Sequence, residues 1–366
     1  MYQGAGKYDS ARYYLQKALS INPAASDALN YLGLNFELKK QYDSAAVYYI
    51  KLLSLNPSYR TASNYNRVGL CYYYQLKDDS AMAYYQRSLM VDAEYSYSYN
   101  CIGLLYNAKN QYDTAILYYR KALGGKTPMP ATANYNIGYA YLQLKKYDSA
   151  LVYFRLAAHF DSLFTNAFYN LGYTNELLHN TDSAIFYYKK YQSLDSKSAS
   201  GYYYVGTLFK KQGNPDSALV YYKKYFTNSK DVATAINVGD VYYELNQFDS
   251  AIYYYEKVYA YYKDSSGETT LERLAYSHLR KNNPEKSLFY FNTVDSLYHN
   301  ANTKYNLCCY YSITGNKTKA LDYLEQALIN QFTNFDHIQK DTDLDNIRKE
   351  PRFDELLKKY FPGKFK

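Results

Sequence analysis

Near the end of the chain, Asp341, Asp343, Asp345 and Asn346 stand in the D-x-D-x-D-N order that opens a calcium-binding loop. Such a loop closes on a bidentate Glu at its twelfth position, and Arg352 stands there, preceded by Glu350 and Pro351. The segment therefore reads as an acidic loop and no metal ligands are assigned. Gly4-Ala5-Gly6-Lys7 resembles the end of a phosphate-binding loop. That loop needs Gly five residues before its Gly-Lys and Ser or Thr after it, where this chain has Met1 and Tyr8. His159, His179, His278, His299 and His337 form no H-E-x-x-H pattern, and no G-x-S-x-G occurs. Cys71, Cys101, Cys308 and Cys309 include no C-x-x-C spacing, and the adjacent pair cannot readily bridge itself. They read as small packing residues. No acid, base, nucleophile and ligand set assembles, so the expectation is no enzyme activity, no cofactor and no metal.

The elements that would have to position any chemistry are helices. The chain has 366 residues, with 54 Tyr, 16 Phe and no Trp, so much of its apolar fraction carries a hydroxyl. Mean hydropathy is −0.55. No run approaches the ~20 apolar residues of a membrane span, so membrane insertion by this chain is not expected. The 42 Lys and Arg against 34 Asp and Glu leave +8, with no three basic residues together. That is a solvated basic surface and not the stripe of a nucleic-acid binder.

The dominant signal is self-similarity. Tyr-Asp-Ser-Ala ends at Ala11, Ala45 and Ala150; relatives of the phrase end at Ala81, Ala115, Ala184, Ala218, Ala251, Ser287 and Ala320. Successive anchors are 33 to 36 residues apart. Twelve residues before them stand Gly33, Gly69, Gly103, Gly138, Gly172, Gly206 and Gly239, then Ala275 and Cys308. Four residues after most of them is an aromatic: Tyr49, Tyr85, Tyr119, Phe154, Tyr188, Tyr222, Tyr255 and Phe291.

A 34-residue period with a small residue at position 8, Ala at 20, an aromatic at 24 and sometimes Pro at 32 (Pro23, Pro57) resembles the tetratricopeptide repeat. The Tyr-Asp-Ser-Ala phrases and tyrosine doublets resemble the Bacteroidetes type of that family, in which many members are envelope lipoproteins. Compartment, bacterial cytoplasm or periplasm, is undecided. The resemblance implies an all-α, right-handed α-solenoid of about ten helix pairs, helix A then helix B, over residues 1–332. A capping segment over 333–366 is expected to follow, with Pro351 opening a last helix whose apolar face is Phe353, Leu356, Leu357 and Tyr360. The small residues at 8 and 20 let helices A and B approach, and one pair cannot bury its own apolar face, so pairs must stack. Asp at position 18 in eight copies, Asp9 to Asp249, is expected to cap helix B. Tyr at position 23 in all ten copies, about 60° from position 20 on a helical wheel, is expected half-buried at the edge. Basic residues at position 26, such as Arg87, Lys121 and Lys224, are expected to face outward.

Aligned this way, the chain begins partway through a first helix A, so upstream residues are expected to be missing. The first helix B should then expose Leu15 and Leu19 and make self-association at this end possible.

The family holds peptides or protein segments against its A helices, and the chain is expected to be such a non-catalytic scaffold. Alternatives are a sensory or regulatory region of a larger bacterial enzyme, such as a histidine kinase or glycosyltransferase, and an RNA-binding helical repeat, which fits the pattern less well. The family's inward positions give Tyr135, Asn136 and Tyr139; Tyr169, Asn170, Tyr173 and Glu176; Tyr203 and Lys210; and Asn237, Asp240 and Tyr243. Asn recurs at position 6 as Asn136, Asn170, Asn237 and Asn306, and an amide can both donate to and accept from a peptide backbone. The family's clamp for terminal carboxylates needs Lys at position 5, where this chain has none. An extended segment held through its backbone is therefore the expected partner.

Overall fold

Each Tyr-Asp-Ser-Ala phrase or its variant opens a helix B. The computed structural model describes residues 8–126, 128–195, 198–229, 231–263 and 266–364. Among them are 21 α-helices and no strand. The B helices are α1 (Tyr8–Ile21), α3 (Tyr42–Leu55), α5 (Asp78–Val91), α7 (Tyr112–Gly124), α9 (Tyr147–Phe160), α11 (Thr181–Leu194), α13 (Pro215–Ser229), α15 (Phe248–Tyr262), α17 (Pro284–Tyr298) and α19 (Lys317–Ile329). The A helices are α2 (Ser26–Leu38), α4 (Ala62–Tyr74), α6 (Ser96–Ala108), α8 (Pro130–Gln143), α10 (Thr165–Leu177), α12 (Ser200–Lys211), α14 (Ala233–Glu244), α16 (Glu268–Arg280) and α18 (Ala301–Ile313). The helix A expected before α1 lies outside the described residues.

The chain forms two compact units, Met1–Leu194 and Asp195–Lys366. In the first, α1 to α11 pack each on the next as stacked helix pairs; in the second, α12 to α19 do the same. The second unit adds α20 (Phe335–Lys340), a 3-10 turn at Thr342–Leu344, and α21 (Pro351–Tyr360). Ile338, Leu344, Ile347, Phe353, Leu356 and Leu357 from this tail are buried against Leu321, Leu324 and Leu328 of α19.

The position-8 glycines have a direct steric reason. A Cβ built on Gly103 would lie 2.4 Å from the Tyr119 ring, and one on Gly33 2.4 Å from the Tyr49 ring. The same holds at Gly69, Gly138, Gly172, Gly206 and Gly239, each against the aromatic at position 24 of its own repeat. These aromatics are fully buried. At the two described repeats where position 8 is not glycine, Ala275 and Phe291 share one buried cluster, and Cys308 and Leu324, which has no ring, share another. The cysteines are buried packing residues, and burial pushes the Cys71 and Cys101 thiols up to about 12.

Position 23 has a definite partner. Its tyrosine stacks on the aromatic at position 11 of helix A: Phe36 on Tyr48 at 5.4 Å, Tyr106 on Tyr118 at 5.2 Å, Tyr141 on Tyr153 at 5.4 Å, Tyr311 on Tyr323 at 5.4 Å. Even His278 takes this role against Tyr290, at 5.6 Å. Most of these tyrosines are half-buried, and Tyr290 is buried. The basic residue at position 26 lies outward and often over the same ring: Arg87 on Tyr84 at 4.9 Å, Lys121 on Tyr118 and Lys224 on Tyr221 at 5.2 Å.

Two expectations are corrected. Asp at position 18 does not cap helix B: the residues at the N-caps of α3, α5, α7, α9 and α15 make no side-chain cap bond, and the Asp lies within the first turn. It still complements the helix dipole, and several copies meet a lysine of the next repeat: Asp9 with Lys39, Asp43 with Lys77 at 3.7 Å, Asp249 with Lys281 at 2.8 Å. Leu15 and Leu19 are not exposed. Both are half-buried against the cluster of Leu32, Phe36 and Tyr49, because that face of α1 meets α2 and α3.

Among the described residues every A-to-B turn places position 15 at positive φ, and most of these residues are not glycine: Lys40, Leu76, Asn110, Lys145, His179, Asn246 and Asn282. Leu76 illustrates the geometry. Its N–H donates to Tyr73 O and the Lys77 N–H donates to Tyr72 O, the paired bonds that end a helix with a left-handed residue. A side chain there costs about 1–2 kcal/mol, and Leu76 is 87% exposed, so its atoms recover little by packing. Leu76→Gly should raise stability by about 0.5–1 kcal/mol after the entropy cost of glycine, read as a higher urea midpoint. A lower midpoint would mean the leucine side chain is not strained.

Candidate functional site

The tyrosines at position 5 form a second layer over the core. Tyr135 leans on Phe154 at 5.7 Å, Tyr169 on Tyr188 at 6.0 Å and Tyr203 on Tyr222 at 6.0 Å, each the position-24 aromatic of its own repeat. All three are half-buried. One helical turn further, at position 9, Tyr139 and Tyr173 are exposed, and Tyr173 stacks in parallel on Tyr169 at 6.4 Å. In the first unit this gives one protruding aromatic per repeat on α8 and α10.

Position 6 reaches backward. Asn136 Nδ2 donates to Asn100 Oδ1 at 2.8 Å, and Asn170 Nδ2 to the Tyr135 hydroxyl at 3.0 Å. Asn306 Nδ2 donates to Glu272. Each runs from position 6 of one repeat to position 5 of the repeat before. Arg67, also at position 6, pairs with Glu37 at 3.8 Å. Arg273 pairs with Asp240 at 2.6 Å, and Asp240 also accepts from the Tyr255 hydroxyl at 2.7 Å. Position 6 is thus a polar tie between stacked repeats. Asn170 is buried, and its amide also donates to Asn166 O at 3.1 Å, so both its donors are engaged within the fold. Asn237 is half-buried. Of the inward set read from the sequence, Tyr139 and Tyr173 stand clear, while Asn136, Asn170 and Asp240 hold neighbouring helices together.

The second unit contains a feature with no sequence signature. A cavity of 720 Å³ opens between the A helices and the tail. Tyr243 of α14, Glu272, Tyr276 and Arg280 of α16, and Tyr305 and Asn306 of α18 make three of its sides. Phe332, His337, Asp341 and Asp343 of the tail close the fourth, and Glu268 is at the rim. Phe332 stacks on Tyr305 at 4.2 Å. Asp341 accepts from the Tyr305 hydroxyl at 2.7 Å and lies 3.6 Å from His337 Nε2; Asp343 pairs with Arg280 at 2.9 Å. The acids that resemble a calcium loop therefore point elsewhere: Asp341 and Asp343 into this cavity, and Asp345 to Arg348 at 3.3 Å. Among the described residues no group of three or more His, Cys, Asp or Glu is arranged to hold a metal ion.

Glu272 is the perturbed group. Burial, and then Glu268 one turn away, push its carboxyl up to about 7. A carboxyl raised in the fold contributes stability that is complete below its unfolded value near 4.5 and is lost as pH rises to about 7. Sequence reasoning missed this cavity because it rests on departures from the repeat. Glu at position 5, Arg at position 13 and a tail unlike any repeat occur together only here.

The match to the tetratricopeptide repeat family agrees with the stacked helix pairs. Residues 2–60 and 102–163 match the tetratricopeptide repeat model, and residues 178–258 match that of the anaphase-promoting complex, cyclosome, subunit 3. No curated protein matches the chain in sequence. Similar solved structures include PilW, a type IV pilus biogenesis factor, at 23% identity over 56% of this chain and 94% of that one, with TM-score 0.49. A tetratricopeptide repeat protein of Parabacteroides merdae is 16% identical over 73% of this chain and 98% of its own, with TM-score 0.44. YrrB, described as having an unusual peptide-binding site, is 21% identical over 50% of this chain and 93% of its own, with TM-score 0.41. No helix among the described residues is long and apolar enough to cross a membrane.

Proposed function

This is a tetratricopeptide repeat protein, and we propose that it works as a scaffold that binds an extended segment of a partner protein on its helix-A face. The observation that carries this reading is the pair Tyr139 and Tyr173. Both are exposed large aromatics at the same repeat position, on consecutive A helices of one unit. Tyrosine offers rigid contact area at low entropic cost together with a hydroxyl for hydrogen bonding. A ladder of such side chains suits an extended chain better than a compact ligand. Asn136 and the buried Asn170 tie these A helices to the repeats before them, through Asn100 and Tyr135.

Once a partner has been recovered by affinity capture, Tyr139→Ala with Tyr173→Ala should weaken its binding at least tenfold, about 1.4 kcal/mol, with helicity unchanged. Neither side chain belongs to the buried core, so the fold should survive the change. Unaltered affinity would remove the helix-A face of the first unit as the binding surface.

A further inference from the structure

We propose that the cavity between α14, α16, α18 and the tail receives a basic side chain, lysine or arginine, of a bound peptide segment. The proposal rests on the scaffold reading for the presence of a segment, but its residues belong to the second unit and are tested separately.

The charge balance inside the cavity is incomplete. Asp343 has Arg280, and Asp341 has the Tyr305 hydroxyl with His337 beyond it. Glu268 and Glu272, one turn apart on the same face of α16, have only amides: Asn300 donates to the first at 2.7 Å and Asn306 to the second. Arg273, the cation next in sequence, is turned to Asp240. Among the described residues neither carboxylate has an ion-pair partner. Like charges four residues apart on a helix destabilise it, and burying one of them adds desolvation. A cation entering the cavity relieves both costs. The walls suit an organic cation more than a bare ion. Half-buried Tyr243 and Tyr276 supply aromatic area for an aliphatic stem or a guanidinium plane, and Arg273 already lies over the Tyr243 ring at 5.6 Å. The volume, 720 Å³, exceeds one side chain and leaves room for the backbone on either side of it.

The groups that face Glu272 also fix the expected pH response. Glu268 and Arg273 share its helix, Tyr243 faces it from α14 and Tyr305 from α18. Arg280, His337, Asp341 and Asp343 complete the cavity. As pH falls below about 7 the Glu272 carboxyl takes up a proton and one attractive charge disappears. The Glu272 variant isolates that charge from the other groups lining the cavity.

The test uses the full chain and fluorescein-labelled heptapeptides, acetylated and amidated, with the central residue of a Gly-Ser background set to Arg, Lys, citrulline or Glu. Anisotropy at pH 8 should show the Arg or Lys peptide binding at least tenfold tighter than citrulline, which keeps the shape and lacks the charge. Glu272→Gln should remove that preference and flatten the fall in affinity from pH 8 to pH 6. Glu268→Gln gives a second reading should the first variant fold poorly, as judged by circular dichroism. Equal binding of the Arg and citrulline peptides, or a preference untouched in both variants, overturns the proposal. So does a Glu peptide that binds as tightly as the Arg peptide. Loss of the preference in Glu272→Gln together with unchanged partner affinity in the Tyr139/Tyr173 variant would leave this cavity standing and the first-unit ladder fallen. The reverse pattern would do the opposite.

Discussion

Gly103→Ala should destabilise the protein by about 1–3 kcal/mol, the range for forcing extra atoms into a packed core. The new Cβ would meet Cε1 of Tyr119 at 2.4 Å and Cδ1 at 2.6 Å. Tyr119 has no room to yield, because its ring is buried beside Ala115 and Ile137. Tyr119→Leu alone should cost a similar amount by opening a cavity. The two together should cost clearly less than their sum, with a coupling of at least ~1 kcal/mol between contacting residues. The chain already contains one such exchange, in Cys308 with Leu324. Urea denaturation of the four proteins measures the coupling, and strict additivity would mean that the glycine is there for some reason other than the ring.

This contact marks the boundary of what the sequence discloses. The small residue at 8, the Ala at 20 and the aromatic at 24 recur in type and carry the resemblance that implies helix pairs. The stack between positions 11 and 23 is half visible: tyrosine is constant at 23, but position 11 varies from Phe36 to His278 and Asn175. Position 15 is invisible. Lysine, leucine, asparagine and histidine share no side-chain property there, and what they share is a backbone angle. The tie at position 6 is hidden for a related reason. Asn136, Arg67 and Arg273 reach back to different positions of the preceding repeat, so no fixed pair of residue types repeats. Reading Asn170 as a ligand-binding amide follows from its position on helix A. Its burial and its bond to Tyr135 emerge only when the neighbouring helix is in place. The cavity in the second unit escapes pattern reading altogether, because a pattern is blind to its own exceptions.

Phe353→Ala should have the largest effect of any single change discussed, and its form should differ from ordinary destabilisation. Phe353 is buried in the cluster that joins α21 to α19. Removing a buried phenylalanine costs about 3–5 kcal/mol. A stacked repeat array need not lose that amount globally, because each pair contacts only its neighbours. The tail can detach instead and leave Leu321, Leu324 and Leu328 uncovered. Amide exchange in α18 to α21 should therefore accelerate by about a hundredfold or more, since each 1.4 kcal/mol is a factor of ten, while α2 to α11 exchange at unchanged rates. Arg352→Ala is the control. Arg352 bridges Asp322 at 2.6 Å and Glu325 at 2.9 Å, and Lys359 adds a bond to Glu325 at 3.1 Å. These pairs are largely exposed, and such pairs are worth about 0–1 kcal/mol, so that variant should keep its tail in place. If Arg352→Ala loosens the tail as much as Phe353→Ala, electrostatics holds it and the apolar account is wrong. The same variant bears on the cavity, since Phe332, His337, Asp341 and Asp343 reach it from the tail. Phe353→Ala should lose the discrimination between Arg and citrulline peptides although no residue lining the cavity has been changed.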